Sequence, residues 1–195
     1  EVNHIHGHIF SLLLERRLSD FQFPMVVLTA SGGHNDLYFI TKEQEKFHIE
    51  HLGKTLDDAA GECFDKVSRM LGGPYPGWVR IGEMALKHAN KLNVENLSSH
   101  QVDWDCHSHE NGNLTNSTKI PAPASQQSEN DSKNISFKRI FLARESFDFS
   151  FSWMKSQVSI LLKHFEEQNI PLTEDLICEI AYEFQEAVVE VLAKK

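Results

Sequence analysis

The most constraining feature of this sequence is a short apolar run, Pro24 to Ala30, followed at once by the glycine-rich break Ser31-Gly32-Gly33. Such a run, bounded by glycine, is typical of a buried strand. It is the longest apolar run in the chain and is far shorter than the roughly 20 residues needed to cross a bilayer, so no transmembrane helix is predicted. Asn35 to Thr41 has the pattern of a second strand, and the two segments together predict a hairpin with a glycine-rich tip.

Helical periodicity and turn residues predict the other elements. Asn3 is the expected N-cap of a first helix, and Thr55-Leu56-Asp57-Asp58 has the form of a capping box whose acidic residues suit the positive end of their own helix. The predicted helices are 3–18, 55–70, 81–90, 151–168 and 173–194. The further predicted strands are 47–52 and 138–143.

Composition bounds the class of protein. The chain has 195 residues and a formal net charge of -9, which gives no basic footprint for a partner bound mainly through phosphates. Three scattered cysteines favour a reducing, cytoplasmic compartment.

Ser, Asn, Gln and Pro dominate from Leu97 to Phe137, which we interpret as a surface insertion that buries little. Because the chain opens without Met and ends without a cap signal, we expect a piece of a longer protein.

Two histidines near the start can ligate a metal. His4 and His8 are four residues apart on a predicted helix, so both imidazoles project from one face and two nitrogens can reach one ion. His6 lies on another face. The alternative is a histidine-rich helix start that faces solvent, and two ligands are fewer than a catalytic metal normally takes.

The glycine-rich break and a later acidic residue suggest a phosphate and sugar site. Backbone N–H groups of Gly32 and Gly33, with the Ser31 hydroxyl, can cradle a phosphate, although a hairpin turn needing positive φ explains the same glycines. Asp65 lies one turn beyond Gly61, and a glycine inside a helix indicates close approach of another segment. Acidic residues near phosphate loops often bind ribose hydroxyls, which here is an analogy.

Six ordered motifs cover nearly everything outside the 97–137 stretch. They are Asn3-His4-Ile5-His6-Gly7-His8, Ser31-Gly32-Gly33-His34, the run from Leu52 to Lys66, Tyr75-Pro76-Gly77, Phe147-Asp148-Phe149-Ser150-Phe151-Ser152 and Phe184-Gln185-Glu186-Ala187-Val188-Val189. Together they resemble the bacterial-type tRNA N6-adenosine threonylcarbamoyltransferases, a family formerly labelled glycoprotease or O-sialoglycoprotein endopeptidase.

The resemblance implies an α/β fold of the actin, sugar-kinase and Hsp70 ATPase superfamily, here incomplete at both ends. It implies transfer of a threonylcarbamoyl group from threonylcarbamoyl-adenylate to N6 of the adenosine next to the anticodon in tRNA. It further implies one divalent metal, usually iron, and small partner proteins of the same pathway, with no membrane partner. The implied parts are residues 1–22 of a first lobe, 23–96 and 138–195 of a second lobe, and the insertion 97–137.

Site residues follow from the resemblance position by position. The implied metal ligands are His4 and His8, with a third ligand absent from this chain. The implied substrate contacts are Thr29, Ala30, Ser31, Gly32, Gly33, Asp65 and Trp78. His6 stands where the family has Glu, and segments before residue 1 and after residue 195 are missing, so this chain alone is expected to be inactive.

Two tryptophans depart from the family pattern. Trp78 and Trp153 both stand at family glycine positions, where an indole should not fit without displacement of the backbone. One hypothesis is that the gene decodes UGA as glycine. Two other functions stay open: a metallopeptidase, for which no Glu follows His4 as a general base, and a non-catalytic nucleotide-binding regulator.

Overall fold

A computed structural model of the chain describes residues 3–92, 135–142 and 146–195 and shows an α/β arrangement of three strands and five α-helices within those ranges. The strands are β1 (Met25–Ala30), β2 (Asn35–Glu43) and β3 (Lys46–Lys54). The helices are α1 (His4–Phe10), α2 (Ala60–Met70), α3 (Gly77–Lys91), α4 (Ser152–Glu167) and α5 (Glu174–Ala193).

The strands form an antiparallel sheet in the order β1-β2-β3. Leu28 pairs with Leu37 across the first hairpin, and the register of β2 against β3 shifts between Leu37 and Tyr38. Tyr38 and Ile40 pack on one face with Ile9 of α1, whereas Leu37 on the other face joins the main core. The predicted hairpin is therefore confirmed. One face of its sheet packs on α1, and the other face contributes to the main core of the remaining helices.

The main core lies among α2, α3, α4 and α5. Its fully buried members are mostly aliphatic and aromatic side chains, among them Val67, Ile81, Phe149, Phe151, Met154 and Phe184. Phe149 also joins the sheet side, because its N–H donates to the Lys54 oxygen at 2.8 Å and its oxygen accepts from Leu56 N at 2.9 Å. One face of the sheet is thus joined to the main core through Leu37 and through the backbone of Phe149.

The first two predicted helices begin or end at the wrong residue. The first helix has Asn3 as its N-cap, as predicted, but it ends at Phe10 instead of residue 18, and a 3-10 turn follows over Ser11–Leu14. Ser11 Oγ donates to the His8 oxygen at 2.7 Å, a local bond that competes with helix continuation. The prediction of a capping box at Thr55 is also wrong, because α2 begins at Ala60 and its N-cap is Ala59.

The segment before α4 differs from the prediction as well. Residues 138–142 form no strand, and the predicted last strand residue lies outside the described ranges. Phe137 is only 3 % exposed and belongs to the main core, so the insertion cannot extend to residue 137 as predicted. Ile135 N donates to Glu179 Oε1 at 3.2 Å, which fixes this segment to α5. The rest of the predicted insertion lies outside the described residues.

None of the described helices is long and apolar enough to cross a membrane.

Candidate functional site

The turn between β1 and β2 is closed by its own serine. Ser31 N donates to the His34 oxygen at 2.9 Å, and Ser31 Oγ accepts from Gly33 N at 3.3 Å and from His34 N at 3.0 Å. The hydroxyl predicted as a phosphate donor therefore already holds the turn. Gly32 N has no acceptor in the part of the chain that the structure describes.

The two glycines of this turn are not explained by the fold itself. Neither Gly32 nor Gly33 has a positive φ, so the interpretation as a turn that needs glycine for its backbone conformation is wrong. A Cβ added at either position would meet nothing within 4 Å among the described residues. The space beside both α-carbons is open.

A third glycine brings α2 against the turn. Gly61 N donates to the Ser31 oxygen at 3.2 Å, and a Cβ on Gly61 would lie 2.7 Å from both that oxygen and the Gly32 Cα. The prediction that a glycine in this helix marks close approach of another segment is confirmed. Asn35, fully buried, adds a second link, because its Oδ1 accepts from Ala60 N at 2.5 Å.

A cavity of about 500 Å³ opens between this turn, α2 and the start of α3. Ala30, Ser31, Gly32, Asp65 and Trp78, all predicted as substrate contacts, line it. The residues from α5 that form its apolar wall were not predicted, nor was Tyr75. One local signal exists for that wall: Val189 is apolar yet half-exposed, off the buried stripe of its helix.

Asp65 ties the cavity to the start of α3. Its Oδ1 accepts from Gly77 N at 2.6 Å, while its Oδ2 accepts no hydrogen bond from any described residue. A Cβ on Gly77 would lie 2.7 Å from the Asp65 Cα, so the two helices are in close contact here. One carboxylate oxygen thus holds the scaffold, and the other remains available to a ligand.

The two unusual tryptophans are accommodated at the surface. Trp78 is 62 % exposed in the first turn of α3, and Trp153 is 46 % exposed in the first turn of α4. Both indoles therefore extend towards solvent and are not packed into the core. Trp78 borders the cavity, whereas Trp153 does not line it.

A smaller cavity of about 270 Å³ lies on the other side of the same turn. His8, Thr29 and His34 line it together with Ala30 and Ser31, which also line the larger cavity. The predicted metal-binding helix, α1, and the predicted substrate turn at the end of β1 therefore border the same small cavity. Gly33, at the tip of the turn, lines neither cavity.

The two histidines predicted as metal ligands face each other. The Nε2 atoms of His4 and His8 are 3.0 Å apart on α1, and both side chains are exposed. Two nitrogens that bind one metal at about 2.0–2.1 Å are separated by about 2.8–3.4 Å for bond angles between octahedral and tetrahedral. The pair fits a shared ion, but the described residues contain no cluster of three or more His, Cys, Asp or Glu that could hold one.

Asp57 serves a different helix from the one predicted. Its Oδ1 accepts from the N–H of Phe151 at 2.8 Å and of Ser152 at 3.2 Å, and its Oδ2 accepts from the hydroxyls of Ser150 and Ser152, both at 2.6 Å. It therefore caps α4 across the fold. Partial burial alone would raise the pKa of Asp57, but these hydrogen bonds outweigh it and hold the pKa below its ordinary value. Asp58 pairs with Lys66 at 2.7 Å and with a lysine of α4.

Comparison with known proteins gives a consistent match. A family model for tRNA N6-adenosine threonylcarbamoyltransferase matches residues 1–106. The chain is similar to the tRNA N6-adenosine threonylcarbamoyltransferases of Desulfotalea psychrophila (33 % identical), Thermosipho africanus (34 %) and Staphylococcus haemolyticus (31 %), each over 194 residues. These alignments cover 100 % of this chain and 43 %, 43 % and 42 % of the relatives, so the chain spans less than half of their length.

Proposed function

We propose that this chain, which belongs to the tRNA N6-adenosine threonylcarbamoyltransferase family, supplies the adenylate-binding turn and two metal ligands of such an enzyme. The full-length protein would transfer the threonylcarbamoyl group from threonylcarbamoyl-adenylate to N6 of the adenosine next to the anticodon in tRNA. The observation that carries the proposal is the cavity that Ser31, Gly32 and Asp65 line together, because Ser31 also lines the smaller cavity that His8 borders.

The open space at Gly32 and Gly33 supports a phosphate position. A ligand atom can approach the backbone there more closely than any Cβ would allow, and Gly32 N has a free donor among the described residues. Thr29 and Ala30 end the strand that leads into the turn and fix its direction. We assign the adenylate phosphate to this turn.

The free oxygen of Asp65 supports a ribose position. Asp65 is four residues beyond Gly61 on α2, which places it about 6 Å further along the helix axis from the phosphate turn. Asp65 Oδ2 can accept from ribose hydroxyls without disturbing the bond from Gly77 N to Oδ1. We assign the ribose to Asp65. Trp78, which lines the same cavity, is a further contact of the bound substrate.

His4 and His8 would hold the metal, which we propose to be iron, with further ligands from residues outside those described. A bound divalent ion would polarise the carbonyl of the threonylcarbamoyl group as a Lewis acid. The residues of this chain would position the other reactants. The turn holds the phosphate while N6 forms its bond to the carbamoyl carbon, the bond from that carbon to the phosphate oxygen breaks, and N6 loses a proton.

The wider arrangement belongs to the same proposal. Residues 1–22 would complete a first lobe, and 23–96 with 138–195 would form part of a second, in a fold of the actin and Hsp70 ATPase type. The net charge of -9 gives this chain little attraction for tRNA phosphates. The tRNA-binding surface would then come from the rest of the protein or from the small partner proteins of the pathway, in the cytoplasm.

Transfer to tRNA by the full-length protein tests the proposal. The protein is given threonylcarbamoyl-adenylate labelled in its threonine part, with unmodified tRNA, and label in the tRNA is counted. Metal content is measured separately by elemental mass spectrometry. His4→Ala and His8→Ala should each remove both metal and transfer, whereas His6→Ala should cost much less, because His6 lies outside the pair.

Two results would overturn the proposal. Label that never enters tRNA in the presence of the partner proteins would remove the assigned activity. Equal loss of metal from all three histidine variants would remove the assigned ligand pair.

A further inference from the structure

Two aromatic side chains stand at the mouth of the larger cavity without a partner. Tyr75 is 79 % exposed and Trp78 is 62 % exposed, and both line the cavity that holds Asp65. Within the described residues, Tyr75 makes no hydrogen bond and no aromatic contact. Single exposed aromatics are common on protein surfaces, but here two line one cavity that also contains the Asp65 carboxylate, so aromatic rings and a polar group border the same space.

This rim is fixed relative to Asp65. Gly77 lies between the two aromatic residues, donates its N–H to Asp65 Oδ1 at 2.6 Å, and packs so closely on α2 that a Cβ would lie 2.6 Å from the Ser68 side chain. Ser68 in turn donates its hydroxyl to the Pro74 oxygen at 3.2 Å. The backbone on both sides of Tyr75 is therefore anchored to α2, although its ring is exposed.

The order of groups along α2 matches the order of groups in a nucleotide. The phosphate turn contacts Gly61 at the start of the helix, Asp65 lies one turn further, and the aromatic rim is held between Asp65 and Ser68. In a nucleoside monophosphate the ribose lies between the phosphate and the base. A ribose at Asp65 with its phosphate at the turn therefore directs the base towards the rim.

We propose that Tyr75, with Trp78 beside it, is the stacking surface for the purine ring of the bound nucleotide. This inference rests on the proposed function, because it takes the adenylate to occupy the larger cavity. Aromatic rings bind bases through their faces, and such stacking tolerates any base but favours the larger purine surface. Tyr75 is thus a positioning residue that orients the adenylate, and it does not take part in bond formation.

Nucleotide binding by the full-length protein tests the role of Tyr75. Isothermal titration compares AMP with ribose 5-phosphate, which keeps the phosphate and sugar but lacks the base. We expect Tyr75→Leu to weaken AMP binding about fivefold to 150-fold, the range for loss of one stacked base, and to leave ribose 5-phosphate unchanged. Tyr75→Phe should restore AMP binding. Trp153→Leu, an exposed tryptophan away from the cavity, is the matched control and should change neither ligand.

The outcomes separate this inference from the proposed function. If Asp65→Asn weakens both ligands while Tyr75→Leu changes neither, the nucleotide site stands and the stacking surface is wrong. If Tyr75→Leu weakens binding of unmodified tRNA but not of AMP, the ring contacts the tRNA and the inference is also overturned. If AMP does not bind the unmodified protein, both the inference and the assigned nucleotide site fail.

Discussion

At the scale of single residues, Asp65 shows how one carboxylate can serve the fold and a ligand at once. Oδ1 accepts from Gly77 N and holds the start of α3, and Oδ2 faces no donor among the described residues. A purely structural Asp in this place needs only the first bond. The two roles can be separated because an amide keeps an acceptor oxygen but replaces the other oxygen with a donor.

Asp65→Asn and Asp65→Ala should therefore differ. We expect Asp65→Asn to keep the free energy of unfolding within about 1 kcal/mol and to weaken AMP binding about tenfold to 150-fold, since bonds to charged groups contribute about 1.5–3 kcal/mol. Asp65→Ala should lose the same affinity and additionally about 1–2 kcal/mol of stability with the bond to Gly77 N. Titration calorimetry and chemical denaturation of both variants give the two quantities. Unchanged AMP affinity with lowered stability in both would assign Asp65 to the scaffold alone.

At the scale of secondary-structure elements, the start of α4 depends on a residue far away in sequence. Phe151, the N-cap residue of α4, provides no side-chain cap, and Asp57 supplies the acceptors instead. A carboxylate at this position also interacts favourably with the positive end of the helix dipole. The hydrogen bonds of Asp57 thus connect the segment after β3 to the start of α4.

The lowered pKa of Asp57 gives this link a pH dependence. A group whose pKa is lower in the folded state stabilises the fold above its unfolded value of about 3.9, and that contribution is lost as the pH falls through the folded value. Asp57→Asn keeps an acceptor oxygen but loses the charge, so it should cost about 0.3–1 kcal/mol at neutral pH, the range for a charge at a helix end, and less once the pH falls below the unfolded value. Urea denaturation at several pH values measures the difference. A difference that stays constant on acidification would contradict the role of the charge.

How much the sequence predicts depends on whether the determining contact is local. The hairpin, Asn3 as an N-cap and the two last helices were predicted correctly, because strand alternation, capping and amphipathic spacing are local patterns. The predicted capping box at Thr55 is wrong because Asp57 accepts hydrogen bonds from the start of α4 instead. A local sequence pattern cannot indicate a partner that is 94 residues away. Tyr75 was missed for the same reason: its place on the cavity follows from how α3 packs on α2.

At the scale of the whole molecule, the insertion ends earlier than composition indicates. Phe137 is buried in the main core, and the segment before it is hydrogen-bonded to α5. Loop-closure entropy grows only slowly with loop length, so removing a long polar connection costs little if no core residue is lost.

Two deletions should consequently behave differently. Replacing residues 97–134 with a short Gly/Ser linker should leave the free energy of unfolding within about 1 kcal/mol, since a stretch of this polar composition is expected to bury little and loop-closure entropy grows slowly with length. Replacing 97–137 should cost about 3–5 kcal/mol, because it also removes the Phe137 side chain from the core. Denaturation of the two proteins in parallel measures both. Equal stability of the two would contradict the place of Phe137 in the core.

The central claim is that the Ser31–His34 turn keeps two glycines for a bound nucleotide. Titration of AMP into full-length Gly32→Ala and Gly33→Ala proteins tests it most directly, because neither position has a positive φ or a described neighbour within 4 Å of an added Cβ. We predict an unchanged melting temperature and an AMP affinity lowered about fivefold to 150-fold, from a methyl group that overlaps the ligand at a cost of about 1–3 kcal/mol. Gly82→Ala, where an added Cβ makes only an ordinary contact at 3.8 Å, should leave the affinity unchanged. Unchanged AMP affinity in both Gly32→Ala and Gly33→Ala would contradict the claim.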